Sequence, residues 1–159
     1  IDTRCDTLAW GLGKSQNAII AKLANRHLTP ESLGRVAAAF GFDEALPFEA
    51  PFEPSTLDLP SDKLEFARAS AGFYHSSLSV LHGALIAATI ANGGVMPAPR
   101  IVAHALDFDG RALAVPAAPS RRVLPFEAAR EVGRMMEVTT RTGTAKGTFR
   151  DKKGLPLLP

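Results

Sequence analysis

Residues 88–99 read Ala-Thr-Ile-Ala-Asn-Gly-Gly-Val-Met-Pro-Ala-Pro. Before Asn92 the chain is rich in Ala, Leu and Ile, and residues 79–92 read as a helix. Asn92-Gly93-Gly94 is its stop signal, because glycine enters the left-handed conformation that closes a helix without a Cβ penalty. Working upstream, residues 30–40 form the next clear helix. Thr29 is a candidate N-cap, Pro30 occupies the first helical position and Glu31 complements the positive helix end. Leu33, Val36, Ala37 and Phe40 form the apolar stripe, and Gly41 ends it. Residues 15–27 predict a further helix with Ile19, Ile20, Leu23 and Ala24 at helical spacing and Lys22 and Arg26 on another face.

The stretch 42–62 holds Pro47, Pro51, Pro54 and Pro60 and many acids, which predicts an extended, wrapping loop. Residues 64–70 predict one or two helical turns. Downstream of Pro99, apolar runs at Arg100–Leu106 and Arg111–Val115 flank Asp107-Phe108-Asp109-Gly110, the pattern of a β-hairpin. Residues 126–139 predict a fourth helix with Ala129, Val132 and Met136 on one face. Thr140–Thr148 is Gly/Thr-rich, and the tail is rich in Pro and Leu. The expectation is four helices and one small hairpin, and a hairpin that short must lean on something else to persist.

The 159 residues, 46% hydrophobic and 21% charged, are enough for one core and exclude wholesale disorder. A net charge of +2 does not mark a nucleic-acid binder. Charge is uneven: residues 120–153 carry nine basic and four acidic side chains, net +5, which leaves −3 on the remainder. The single cysteine, Cys5, excludes an internal disulfide framework and a Cys-rich zinc site. The histidines His27, His75, His82 and His104 form no close-spaced ligand cluster, so no metal is expected, and no cofactor signature is present. Gly11-Leu12-Gly13-Lys14-Ser15 lacks the glycine spacing of a phosphate loop. The longest apolar run, around Leu81–Ala91, is too short to span a bilayer.

Lys14-Ser15-Gln16-Asn17 stands directly before the apolar pattern of residues 18–24. From spacing alone, Ser15 or Asn17 is a helix cap. The surrounding order of motifs adds a second meaning. Thr7–Ala24 resembles the S-x-N segment of the transpeptidase domain of penicillin-binding proteins. Phe40-Gly41-Phe42 follows. Ala69-Ser70-Ala71-Gly72-Phe73 then resembles that family's G-x-G segment, without its second glycine. Leu78–Ala84 resembles the start of the next family helix, with Leu81-His82 replacing a Pro-containing form. Ala88–Pro99 resembles its A-x-x-A-N-G-G-x-x-x-x-P run, Asp107–Gly110 its D-x-x-G hairpin, and Met135–Val138 with Gly143-Thr144-Ala145 its M-x-x-V-V…G-T-A stretch. The motifs run in family order across nearly the whole chain.

The resemblance implies an α-rich α+β fold: the mostly helical part of a β-lactamase/transpeptidase-like architecture, with a small β-hairpin and the central sheet largely outside the chain. Residues 1–159 are then one partial transpeptidase domain, with 42–62 its Pro-rich wrapping loop and 100–115 its β-hairpin. It also implies acyl transfer through a serine ester. In that chemistry the S-x-x-K serine is the nucleophile, the S-x-N pair relays protons and holds the substrate amide, and a K-T-G strand binds the substrate carboxylate. Ser15 is the implied relay and Asn17 the substrate-side amide. No serine here has a lysine three residues later, so no nucleophile lies in the chain. Arg141-Thr142-Gly143-Thr144 reads in two ways, as the family's loop after the Met helix or as a third motif with Arg for Lys. Lys14 has no role beyond local charge.

The implied partners are peptidoglycan stem peptides ending in D-Ala-D-Ala and β-lactams, with no nucleic acid and no membrane span in this chain. The implied location is the periplasmic face of a bacterial inner membrane, in a membrane-anchored parent. The chain opens on Ile1 and closes on a Pro/Leu tail, so both ends are expected to be cut, the isolated chain inactive and its sheet-facing side an exposed apolar patch. Two other classes stay open. One is a non-catalytic helical interaction module or degenerate relative. The other is a β-lactamase-like hydrolase or sensor, disfavoured by the Asn-Gly-Gly and Gly-Thr-Ala runs.

Overall fold

A computed structural model describes residues 7–115, 118–155 and 157; Ile1, Cys5 and most of the terminal Pro/Leu run lie outside the described residues. In chain order the elements are α1 (Leu8–Gly13), α2 (Asn17–His27), α3 (Pro30–Phe40), β1 (Thr56–Leu57), α4 (Lys63–Ser70), β2 (Ser76–Ser77), α5 (Val80–Ala91), β3 (Val95–Met96), β4 (Ala105–Leu106), β5 (Ala112–Leu113), β6 (Arg121–Arg122) and α6 (Phe126–Arg141). The α-rich α+β architecture is therefore present. The strands form three separate antiparallel pairs, β1 with β2, β3 with β6 and β4 with β5, and no larger sheet exists among the described residues.

Local chemistry sets the helix boundaries. Thr29 and Ser32 form a reciprocal capping box at α3: Ser32 N–H donates to Thr29 Oγ1 (3.2 Å) and Thr29 N–H to Ser32 Oγ (2.9 Å). Asp62 Oδ1 accepts the amides of Leu64 and Glu65 at 3.0 Å and opens α4. Ser79 Oγ accepts His82 N–H (3.2 Å) and opens α5. In the β4–β5 hairpin Asp107 Oδ1 accepts the amides of Asp109 and Arg111, and Gly110 takes φ +79°.

Two expectations need correction. The helix expected from residue 15 starts at Asn17, because Ser15 has φ +53°, which no helix accommodates. The expected four helices and one hairpin become six helices and three strand pairs among the described residues. α1 is six residues long and contains two glycines, too short to show a period. The β1–β2 and β3–β6 pairs join two-residue segments that are distant in sequence.

The helices pack α1 on α6, α2 on α4 and α5 on α6, around Ala24, Phe66, Ala67, Ala69, Leu85, Met96 and Ala129. A polar knot ties the irregular stretch to this frame. The fully buried His82 ring approaches Phe40 O with Nε2 (2.9 Å), and since a carbonyl only accepts, Nε2 carries the proton. Phe42 lies against the same ring at 4.8 Å between centroids. Ser55, also buried, accepts Ser79 N–H on its hydroxyl (3.0 Å) and Asp43 N–H on its carbonyl (2.7 Å). Asp43 Oδ1 in turn accepts Leu57 N–H (3.2 Å). The segments around residues 40–43, 55–57 and 79–82 are thus held as one unit. Replacing His82 by Ala leaves a cavity beside Phe42 and an unpaired Phe40 carbonyl. Urea unfolding of His82→Ala is expected to show a loss of about 2–4 kcal/mol, and His82→Gln, which keeps an amide donor, a smaller loss.

A second cluster anchors the β1–β2 pair to α4. His75 Nε2 lies 3.0 Å from Glu65 Oε2, and Arg68 bonds Glu65 Oε1 at 2.5 Å. These contacts hold the Glu65 carboxyl below the ordinary carboxylate range, chiefly through His75 and further through Arg68. A carboxylate lowered in the folded state contributes stability above its unfolded pKa and loses it as pH falls through the folded value. Below about pH 4.3 the protein should therefore lose stability more steeply than its Glu65→Gln variant. Urea midpoints measured across the acid range check this, and parallel curves for the two proteins would contradict it.

Candidate functional site

Ser15 sits at the C-terminal end of α1. Thr7 Oγ1 accepts Trp10 N–H (3.2 Å) to open this short helix. Its end is closed by two crossing backbone bonds, Gln16 N–H to Gly11 O (2.8 Å) and Ser15 N–H to Leu12 O (2.9 Å). This bond pair, the Schellman motif, requires a left-handed residue, normally glycine. Three other helices close in the same way. α3 uses Phe42 N–H to Ala37 O with Gly41 N–H to Ala38 O, α4 uses Phe73 N–H to Arg68 O with Gly72 N–H to Ala69 O, and α5 uses Gly94 N–H to Thr89 O with Gly93 N–H to Ile90 O. Their left-handed residues are glycines, Gly41 (φ +96°), Gly72 (+83°) and Gly93 (+60°), whereas α1 places Ser15 there at φ +53°. A side chain in that conformation costs roughly 1–2 kcal/mol.

The capping role that spacing suggests for Ser15 or Asn17 is not what the structure holds. The residue before α2 is Gln16, and no side chain caps that helix. Asn17 is the first residue of α2, its amide nitrogen donating to Ser15 O (3.0 Å). Among the described residues, neither the Ser15 hydroxyl nor the Asn17 side-chain amide has a hydrogen-bond partner. Ser15 is exposed and Asn17 half-buried. The turn therefore presents a hydroxyl and an amide two residues apart, both with their hydrogen-bonding capacity unspent.

α6 and the loop after it support this turn from behind. Gly13 lies so close to α6 that a Cβ there would come within 2.7 Å of Val138 Cγ1. A Cβ on Gly143 would collide with Gly13 O and with the backbone of Thr139. Thr144 N–H donates to Gly13 O (3.0 Å), and Lys14 Nζ donates to Thr142 O (2.5 Å). The two segments singled out in the sequence, Ser15–Asn17 and Arg141–Thr144, are thus brought together. Arg141 is the last residue of α6 and pairs with Glu137 (3.0 Å), and Thr142–Thr144 continue as a turn. Arg141–Thr144 are thus a helix end and a turn, whereas a third motif with Arg for Lys would sit on a strand. Lys14 and Gly13 are not visible as site residues in the sequence, although the glycine pair at 11 and 13 directly before Lys14 signals close backbone approach.

Among the described residues no group of three His, Cys, Asp or Glu side chains could hold a metal, and no helix is long and apolar enough to cross a membrane.

Residues 2–157 match the family model described as penicillin binding protein transpeptidase domain. No curated protein matches the chain in sequence. Among solved structures, penicillin-binding protein A from Mycobacterium tuberculosis is 27% identical with a TM-score of 0.80, covering 86% of this chain and 33% of its own. Its imipenem acyl-enzyme complex gives 27% identity and a TM-score of 0.79, with 86% and 31% covered. The D,D-transpeptidase domain of a peptidoglycan glycosyltransferase from Eggerthella lenta, 22% identical, shares the fold with a TM-score of 0.73 over 89% of this chain and 38% of that one. The chain spans about a third of the length of the structures it matches.

If the left-handed turn is strained by its side chain, glycine should relieve it. Ser15→Gly is expected to be more stable than Ser15→Ala by roughly 1 kcal/mol in urea unfolding, and equal stabilities would show that the turn carries no strain.

Proposed function

The chain belongs to the penicillin-binding-protein transpeptidase family, and we propose from this premise that it supplies the S-x-N loop of a serine D,D-transpeptidase that cross-links peptidoglycan stem peptides. In this reaction a serine from an S-x-x-K segment attacks the carbonyl of the penultimate D-Ala. The Oγ–C bond forms, the C–N bond to the terminal D-Ala breaks, and that residue leaves as the free amine. An amine of a second stem peptide then displaces the serine. Each step moves a proton between oxygen and nitrogen, so a positioned hydroxyl that both donates and accepts lowers its barrier. Ser15 is that hydroxyl, and Asn17 holds the substrate amide with its own donor and acceptor. A β-lactam enters the same path by opening its ring onto the nucleophile.

The observation that carries this proposal is the serine at a glycine position. Ser15 occupies the left-handed residue of a helix-closing turn, where a side chain is costly, and among the described residues its hydroxyl has no hydrogen-bond partner. The acyl-enzyme complex of the relative from Mycobacterium tuberculosis supports the covalent chemistry. The chain contains no S-x-x-K, so residues 1–159 alone do not acylate, and the activity belongs to the longer polypeptide that carries the nucleophile. Acting on the cell wall, that protein works in the periplasm from a membrane anchor.

The test is labelling with a fluorescent penicillin. The full-length protein should be labelled at its S-x-x-K serine and residues 1–159 should not. In the full-length protein Ser15→Ala should slow acylation about 100-fold or more, the range of a general acid–base group. Labelling of the isolated chain, or wild-type rates in Ser15→Ala, would contradict the proposal. Rapid hydrolysis of the acyl group would point to a β-lactamase instead.

A further inference from the structure

Lys14 directly precedes Ser15, and the sequence assigns it nothing beyond local charge. Its ammonium donates to Thr142 O (2.5 Å), the C-cap residue just after α6. The last carbonyls of a helix are its negative end and have no partners within the helix, so a lysine there makes a charge-assisted bond. One residue earlier, Gly13 O accepts Thr144 N–H (3.0 Å). The two bonds run in opposite senses: α1's end donates at Lys14 and accepts at Gly13, and the loop after α6 does the reverse. Together they form a clamp across the turn in which Ser15 is left-handed. A strained residue persists only where its surroundings over-determine it, and this clamp, with the absence of room for side chains at Gly13 and Gly143, does so.

We infer that Lys14 is a positioning residue, whose ammonium, seated on the Thr142 carbonyl at the C-terminus of α6, holds Ser15 in the orientation from which its hydroxyl relays protons. This rests on the transpeptidase reading of Ser15. The action is on geometry: Lys14 exchanges no proton and touches no substrate, and its effect on the reaction passes entirely through Ser15.

The experiment uses the full-length protein and the variants Lys14→Met, Lys14→Arg, Ser15→Ala and the double variant Lys14→Met/Ser15→Ala. Two quantities are read, the rate of acylation by a fluorescent penicillin and the hydrogen exchange of the Ser15, Gln16 and Thr144 amides. Lys14→Met should slow acylation about tenfold, the size of one lost charge-assisted bond, and speed exchange at the three amides by a similar factor. Lys14→Arg, which keeps a cationic donor, should recover most of both. In the Ser15→Ala background Lys14→Met should slow acylation no further, because the group it positions is gone; a merely structural effect would persist there.

Wild-type acylation and exchange in Lys14→Met overturn the inference, as does a full additional loss in the double variant. The transpeptidase reading fails separately, if the wild-type protein is not acylated or Ser15→Ala has no effect. Faster amide exchange in Lys14→Met would then still establish the clamp, while its catalytic purpose would be refuted.

Discussion

The backbone of Gly13 rests against α6 with no space for a side chain, and this close approach sets the position of everything around Ser15. A methyl group at residue 13 would push α1 off Val138. That displacement would also break the bond from Thr144 N–H to Gly13 O and draw Lys14 away from Thr142. Glycine inside a helix weakens it, and α1, only six residues long, contains two. Such a helix does not stand on its own propensity. It persists because its end is bound to a sixteen-residue helix with a continuous apolar face, so the order of the turn is borrowed from α6.

Against that background Ser15 is a local conflict. Gly41, Gly72 and Gly93 show what this chain does when only a helix stop is needed. At the fourth such stop it keeps a β-carbon and a hydroxyl in a conformation that disfavours both. Local rules are broken where something other than stability is served, and the break is tolerable only if the neighbourhood compensates. Here the compensation can be named: two backbone bonds close the turn, and two bonds with a steric fit fasten it to the loop after α6. Asp43, at φ +62°, and Tyr74 and His75, at φ +56° each, also hold a side chain in the left-handed region. Anchors are present there too, the bond between His75 and Glu65 and the Leu57 N–H bond to Asp43 Oδ1.

How much of this was legible follows from the range of each interaction. α3 could be read to the residue, since its cap, its Pro and its terminal glycine all act within one turn of the chain. The same holds for the end of α5 at Asn92 and for the Asp107–Gly110 turn. Ser15 and Asn17 could be singled out as residues, but their geometry could not. Spacing made them caps, and only the structure shows Gln16 in that place and a Schellman turn at Ser15. The role of Lys14 depends on a partner 128 positions away in sequence, and no local pattern encodes that. The β3–β6 pair is invisible for the same reason, since Val95 meets Arg122 only after the intervening hairpin has been placed.

The composition of α5 carries one more physical statement. A helix apolar all round is one that is covered all round, and α5 has Ala, Leu and Ile on every side. Among the described residues it is covered on one side, where His82, Leu85 and Thr89 are buried. Its other side, with Ile86, Ala87 and Ile90, lines an open groove together with Val36 and Phe40 of α3 and Val132 and Met136 of α6. The two sides use different chemistry. On the closed side a histidine and a threonine are fully buried because each has a backbone carbonyl within reach, Phe40 O for His82 and Leu85 O for Thr89. On the groove side no polar side chain of α5 is present that would need such a partner. The polar side chains of α5 are therefore confined to the closed face, where Phe40 O and Leu85 O take up His82 Nε2 and the Thr89 hydroxyl and His82 Nδ1 is left buried without a partner among the described residues, while its second face is purely apolar.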